Sequence, residues 1–256
     1  MDNSPRNPVK EKLARDEPVL GMLVTMPSVH MAQLLSAAGL DWLMIDMEHG
    51  PIDLSSTHAM IAATQGTACA PMVRVPLGNL ELAKPVLDSG AFGIVFPMVC
   101  TGDEAREVTG WMNYPPQGKR GVGPIYAAPR WGLPMGDYLA TANETLATFI
   151  LIEHIEAVRN LDDILAVKGI DAACIAPFDL SASMGVPGQY DRPEVKKAIA
   201  EAEEKILASD KALGGLSLSA GDARAKLDAG YRVLILGYDA HMVNTYVSGL
   251  LKDIRG

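Results

Sequence analysis

The sequence predicts a (β/α)8 barrel. Three observations carry that prediction. Eight short apolar runs recur along the chain, segments with helical spacing separate them, and no glycine-rich nucleotide turn follows the first run. The runs are Val19–Met26, Trp42–Met47, Ala70–Val75, Gly93–Val99, Thr148–Ile155, Ala172–Ala176, Ala212–Leu218 and Val233–Gly237. Most are too short for helices and lack strict alternation, which is the pattern of parallel strands buried on both faces. Eight such strands with intervening helices suit a closed barrel of about 250 residues. A doubly wound open sheet is the alternative. It uses fewer strands and carries a glycine-rich turn after the first, whereas here the first run leads into Thr25-Met26-Pro27-Ser28.

Taken in order, residues 1–18 read as a polar tail with a short helix near Val9–Arg15, and residues 19–256 as one barrel domain. Helical spacing covers Val29–Gly39 and then Leu54–Gly66, with Asp53 as an N-cap and glycine at the end. Leu80–Gly90, Asp103–Met112, Ala157–Val167, Pro193–Ser209 and Gly221–Gly230 follow the same plan, and a last helix spans about Ala240–Ile254. Two connections are long. One runs from strand four to strand five through Asn113-Tyr-Pro-Pro-Gln-Gly-Lys-Arg-Gly-Val-Gly-Pro, and the other is Ser181–Arg192. Long connections without structure of their own are functional or exchanged with a neighbour.

The chain has 256 residues, 48% of them hydrophobic, and a formal net charge of −9 with a pI of about 5.0. No basic block is present, which speaks against nucleic acid and anionic membrane as partners. No run of 18 apolar residues spans a membrane, and the first 18 residues hold no secretory h-region, so the expected location is the cytoplasm. Cys69, Cys100 and Cys174 lie in apolar surroundings far apart in sequence, and read as reduced core residues.

In a barrel of this kind the site lies at the carboxyl ends of the strands. Strand two ends in Asp46, Glu48 and His49, and strand three in Arg74; strand five carries Glu153, and strand six ends at Asp179. Asp88 lies on the helix before strand four. A lone Glu153 in the apolar stretch Phe149–Ile155 needs a partner. Together with Asp179 it suits a hard cation such as Mg²⁺ or Mn²⁺, with Co²⁺ a further option; an ion pair with Arg74 accounts for it equally. His49 reads as a general base or as a hydrogen-bonded structural histidine, the reading kept for His58, His154 and His241. Arg74 serves either as an ion-pair partner or as a fork toward a carboxylate or developing oxyanion. No strand carries a lysine, so Schiff-base chemistry has no candidate nucleophile there. The basic residues Lys119, Arg120 and Arg130 of the long connection either contact an acidic substrate tail or order the loop or the subunit contact.

At these residues the chain resembles the HpcH/HpaI family of class II, metal-dependent aldolases, over roughly Val19–Leu251. The motifs that carry the resemblance begin with Asp41-Trp-Leu-Met-Ile-Asp-Met-Glu-His, Val73-Arg-Val-Pro, Val86-Leu-Asp-Ser-Gly-Ala and Phe96-Pro-Met-Val. Tyr114-Pro-Pro-Gln-Gly-Lys-Arg-Gly, Asn160-Leu-Asp-Asp-Ile-Leu and Asp179-Leu-Ser-Ala-Ser-Met-Gly complete them. The resemblance implies a barrel of the phosphoenolpyruvate/pyruvate type that cleaves a 4-hydroxy-2-oxo acid to pyruvate and an aldehyde, in aromatic- or sugar-acid catabolism. It implies Glu153 and Asp179 as metal ligands, His49 as acid/base, Asp88 of a neighbouring subunit as the partner of His49, and Arg74 on the oxo oxygen. It also implies a hexamer, a trimer of dimers, with the last helix exchanged between protomers.

Several positions around the substrate depart from the family pattern. Leu151 stands where glutamine is common, Ala176-Pro177-Phe178 where Gly-Pro-Ala is common, and Leu23 where tryptophan often lines the site. The donor oxo acid and the aldehyde stay open for that reason. Two other readings compete. A lyase of the malyl- or citramalyl-CoA type shares the barrel and both carboxylates, but expects a longer C-terminal region than the one ending at Gly256. A barrel that binds a metabolite without catalysis does not require His49, Arg74, Glu153 and Asp179 together.

Overall fold

The computed structural model describes residues 7–256. The part of the expected tail that falls on residues 1–6 lies outside the described residues. Eight parallel strands close into a barrel in sequential order. They are β1 (Val19–Val24), β2 (Trp42–Asp46), β3 (Ala70–Arg74), β4 (Gly93–Phe96), β5 (Ala147–Ile152), β6 (Ala172–Ile175), β7 (Ala212–Leu216) and β8 (Val233–Tyr238). All eight predicted runs are strands, each ending one to three residues before its apolar run does except β8, which extends one residue further.

The missing alternation has a simple cause. Inward residues such as Trp42, Met44, Met72, Phe149, Leu151 and Cys174 fill the barrel. Their sequence neighbours Leu43, Ile45, Val73, Ile150, Ile152 and Ala173 pack outward under the helices. Both sets are apolar because both faces are covered. Trp42 meets Phe149 edge-on at 5.5 Å. It also explains Gly21 on the adjacent strand, since a Cβ there would lie 2.4 Å from the indole ring.

The helices that precede β5 are α1 (Pro8–Ala14), α2 (Val29–Ser36), α3 (Leu54–Ala63), α4 (Ala83–Asp88), α5 (Gly102–Met112), α6 (Ala127–Arg130) and α7 (Met135–Thr145). Asn7 caps α1 and donates its amide to the carbonyls of Phe92 and Thr145, so Val9 plugs the amino end of the barrel. Asp53 caps α3 as its sequence predicts, accepting from the Ser56 N–H at 2.7 Å. The β4–β5 connection is not bare: α6 and α7 occupy its second half. After β5 come α8 (Ile155–Arg159), α9 (Leu161–Leu165), α10 (Pro177–Ser183), α11 (Pro193–Leu207), α12 (Ala220–Asp228) and α13 (Asp239–Arg255). The single helix expected over Ala157–Val167 is therefore two, broken at Asn160. That residue leaves helical geometry (φ −97°, ψ 11°) and gives its side-chain amide to the Cys100 carbonyl.

Asp239, fully buried at the start of α13, accepts from both the N–H and hydroxyl of Thr25 and from the Met26 N–H. It thereby ties the end of β1 to the end of β8. Among the described residues no helix is long and apolar enough to cross a membrane. The three cysteines are free and buried, and burial pushes the Cys69 and Cys174 thiols up to about 12, which leaves them unreactive.

Candidate active site

The site grows out of sheet register. Asp46 and Arg74 are the last residues of β2 and β3 and are directly paired across that ladder. Register partners in a parallel pair share a face, so both side chains enter the barrel one layer above Met44 and Met72. The Arg74 guanidinium gives Nε to Asp46 Oδ1 at 2.8 Å and Nη2 to Oδ2 at 2.6 Å. A two-point bond of this kind is the strong form of an arginine–carboxylate contact. Burial alone would depress the Arg74 charge; the bond to Asp46, together with the Asp46 and Glu48 charges, raises its pKa above the ordinary value instead.

Asp46 has a second role. Its Oδ1 also accepts the N–H groups of Glu48 and His49, at 3.0 and 3.3 Å. The carboxylate therefore caps the turn that carries both residues. Gly50 closes the turn because a Cβ there would lie 2.5 Å from the Asp46 carbonyl oxygen. His49 ends at the rim with its side chain 66% exposed and Nε2 3.9 Å from Glu48 Oε2. Glu48 itself is 14% exposed, and its Oε2 lies 3.4 Å from Arg74 Nε. Burial raises its pKa first of all, against the Arg74 and His49 charges and an N–H bond from Leu77.

Glu153 follows β5 directly, on the inward face set by Phe149 and Leu151. It is 5% exposed above an apolar floor, and its Oε1 accepts the Met98 N–H at 2.7 Å. Met98 adopts φ 53°, a region that residues with a Cβ rarely enter. That turn aims the N–H at the carboxylate. Burial pushes Glu153 up to about 7; Glu48 and Asp179 add to the rise, and the Met98 N–H and Arg74 oppose it.

Asp179 corrects an expectation. Strand six ends at Ile175, and Asp179 sits in the first turn of α10 instead, exposed and without a hydrogen bond or ion pair among the described residues. The Ala176–Phe178 step after the strand starts a helix because Pro177 occupies its first position.

Of the substrate-facing candidates, Leu151 lies in the floor beside Glu153, and Leu23 packs half-buried on the same inner cluster. Ala176 gives its N–H to the Ile152 carbonyl. Pro177 and Phe178 line a cleft of about 340 Å³ with Tyr190, Leu216 and Leu218. The Phe178 ring meets Tyr190 edge-on at 4.9 Å rather than turning toward Glu153.

Asp88 is not brought to His49 within one chain. It ends α4, just ahead of β4, and so lies at the amino end of the barrel, while His49 stands at the carboxyl end. Asp88 accepts Arg120 Nη2 at 2.7 Å. Arg120 is buried, lies over the Tyr114 ring at 4.5 Å and orders the loop, and Lys119 sits over Trp111. Within one chain both basic residues stack on nearby rings, as the loop-ordering reading expects. His154 caps α8 by accepting the Glu156 N–H, and His58 packs against Tyr126. The observed strands contain no lysine.

Sequence reasoning named Glu48 and gave it no role, and it passed over Met98 and Leu77. The latter two act through backbone N–H groups, which leave no mark in side-chain chemistry.

The layer at the carboxyl end thus holds Asp46, Glu48, Glu153 and Asp179, with Arg74 as the cation whose charge reaches Glu153. Arg74 is already committed to Asp46. Among the described residues, Glu153 keeps one carboxylate oxygen without a donor, and Asp179 keeps both. This excess of negative charge on a dry floor fits a divalent cation. Among the described residues no group of three or more His, Cys, Asp or Glu is arranged to hold one. Two carboxylates with remaining positions for water and substrate are the usual provision for Mg²⁺.

Comparison with known proteins identifies the family. The family described as HpcH/HpaI aldolase/citrate lyase matches residues 20–245. A 2-keto-3-deoxy-L-rhamnonate aldolase from Shigella boydii serotype 4 is 38% identical over 234 residues, 91% of this chain and 87% of that protein. The crystal structure of an HpcH/HpaI aldolase/citrate lyase family protein from Burkholderia cenocepacia J2315 aligns with TM-score 0.89 and 31% identity, covering 98% of this chain and 100% of that one. The citrate synthase SbnG aligns with TM-score 0.86 and 28% identity over 96% of each chain.

Proposed function

The chain belongs to the HpcH/HpaI aldolase/citrate lyase family and is an enzyme of the aldolase class; from that premise we propose that it cleaves a 4-hydroxy-2-oxo acid to pyruvate, or a related 2-oxo acid, and an aldehyde. A sugar-acid derivative is the favoured substrate class, in line with the name of the Shigella boydii relative.

One observation carries the reading: Glu153, just past β5, feels the charges of Asp179 in the first turn of α10, of Arg74 at the end of β3 and of Glu48, the neighbour of His49, above an apolar floor. Glu153 and Asp179 would hold a divalent cation, Mg²⁺, Mn²⁺ or Co²⁺, which when bound supplies Lewis-acid charge for a developing enolate. Arg74, steered by Asp46, keeps N–H groups outside that bond for the 2-oxo oxygen. His49 Nε2 takes the proton of the 4-hydroxyl. The C3–C4 bond then breaks, leaving the carbonyl of the aldehyde on one side. The bonding pair moves into the enolate of the oxo acid on the other, where protonation at C3 gives the methyl group. The Met44, Met72, Leu151 and Cys174 floor excludes water beneath the reacting atoms.

The assembly belongs to the same proposal. Along α13 only Asp239 is buried, while Met242, Val243, Tyr246, Val247, Leu250, Leu251 and Ile254 stand exposed. A helix with that much unpartnered apolar surface suits exchange between protomers of a homo-oligomer, a hexamer built as a trimer of dimers. In that assembly a partner's Asp88 would pair with His49. A cytoplasmic location goes with the three free thiols.

The test is pyruvate release from a panel of 4-hydroxy-2-oxo acids with Mn²⁺ or Mg²⁺, then with excess EDTA. The expected result is release that EDTA abolishes and added metal restores. Release that survives EDTA contradicts the reading.

A further inference from the structure

Glu48 touches both side chains that the aldolase reading puts to work. Its Oε2 lies 3.4 Å from Arg74 Nε and 3.9 Å from His49 Nε2. The carboxylate is itself held: Asp46 fixes its backbone N–H and Leu77 gives it a backbone hydrogen bond. His49 has no comparable support. Its ring makes no hydrogen bond among the described residues, and Glu48 is the charged side chain beside it. Arg74 is oriented on its inner side by Asp46, and Glu48 approaches the same Nε from the rim. The order along the site is therefore Asp46, Arg74, Glu48, His49, each in contact with the next.

We propose that Glu48 is a positioning residue whose carboxylate joins the His49 imidazole to the Arg74 guanidinium, setting the proton-transfer group against the group that meets the oxo oxygen. This inference rests on the aldolase reading of the same site. It differs from two simpler roles, filling space on the turn and adding negative charge for a cation, and each of the three makes a different prediction. A misplacement of about 1 Å in such a pair costs on the order of 10- to 100-fold in rate.

The experiment uses the full chain with Mn²⁺ and compares wild type, Glu48→Gln and Glu48→Asp. The first variant keeps the shape and removes the charge; the second keeps the charge and shortens the reach. Three quantities are measured: kcat and KM for pyruvate release, the Mn²⁺ dissociation constant, and the thermal unfolding midpoint. The expected result is a kcat 10- to 100-fold lower in both variants, with KM, Mn²⁺ affinity and unfolding midpoint little changed. Wild-type kcat in Glu48→Gln overturns the proposal in favour of a space-filling role. A rate loss in Glu48→Gln that tracks weaker Mn²⁺ binding, with Glu48→Asp unaffected, overturns it in favour of charge alone. A loss that parallels a lowered unfolding midpoint also overturns it. A wild type that releases pyruvate from no 4-hydroxy-2-oxo acid fails at the earlier step and removes the aldolase reading and this inference together.

Discussion

The two ends of the barrel treat charge in opposite ways. At the amino end, carboxylates meet cations: Asp41 with Lys12 at 2.6 Å, Asp171 with Lys10 at 3.1 Å, Asp16 with Arg232 at 2.8 Å and Asp88 with Arg120 at 2.7 Å. Two of these also serve backbone, since Asp41 accepts the Leu20 N–H and Asp171 the Thr148 N–H. At the carboxyl end, Asp46, Glu48 and Glu153 act on Arg74 while Asp179 acts on Glu153, and the match is left incomplete. Burying a carboxylate without a matching cation is unfavourable, and Glu153 bears that cost. The amino end matches its charges within the chain, and the carboxyl end is where the proposed function puts the ligands.

Breaking the tightest pair tests this difference most severely. Arg74→Ala leaves Asp46 buried and unpaired, and should cost roughly 3–5 kcal/mol of stability, read by denaturant unfolding. It should also lower kcat on the order of 100-fold or more with Mn²⁺ binding retained. Arg74→Lys keeps a charge without the two-point bond and should fall between. Near-normal kcat in Arg74→Ala would remove the oxyanion role.

The next effect is a pH dependence. Glu153 ordinarily titrates near 4.5 and is pushed up to about 7 in the fold. The folded state therefore holds this proton more tightly than the unfolded chain does. Stability from the protonated group is complete below about 4.5 and declines as pH rises to about 7, by about 3 kcal/mol in all. The difference in unfolding free energy between metal-free wild type and Glu153→Gln should show that decline. Added Mn²⁺ should reverse it, because the metal takes the ionised carboxylate. A difference that stays flat between those pH values would show that Glu153 is not desolvated as its surroundings dictate.

The amino end should be the quieter one. Lys12→Ala removes a partly exposed ion pair to Asp41, worth about 1 kcal/mol or less, and should leave kcat unchanged. A large loss of activity there would erase the distinction between the two ends.

Much of this was legible in the chain. Eight apolar runs became eight strands because burial on both faces dictates continuous hydrophobicity, and Asp46, Arg74, Glu153 and His49 stood out as polar groups ending such runs. Other features had no local signal. In α7, Met135–Thr145 passes through Leu146 directly into β5, so no punctuation marks its end. Asp179 looked like a strand residue because α10 begins at Pro177, with Ala176 alone between it and the end of β6. The partners of Asp88 and Glu48 depend on tertiary contacts with Arg120 and Arg74, which spacing does not encode. Met98 was invisible because its part is played by a backbone N–H.

The central claim is that the unmatched carboxylates form a cation site, and Mn²⁺ titration at pH 8 tests it directly. Wild type should bind one ion per chain, and both Glu153→Gln and Asp179→Asn should lose that binding while remaining folded. Undiminished Mn²⁺ binding in both variants would contradict the account.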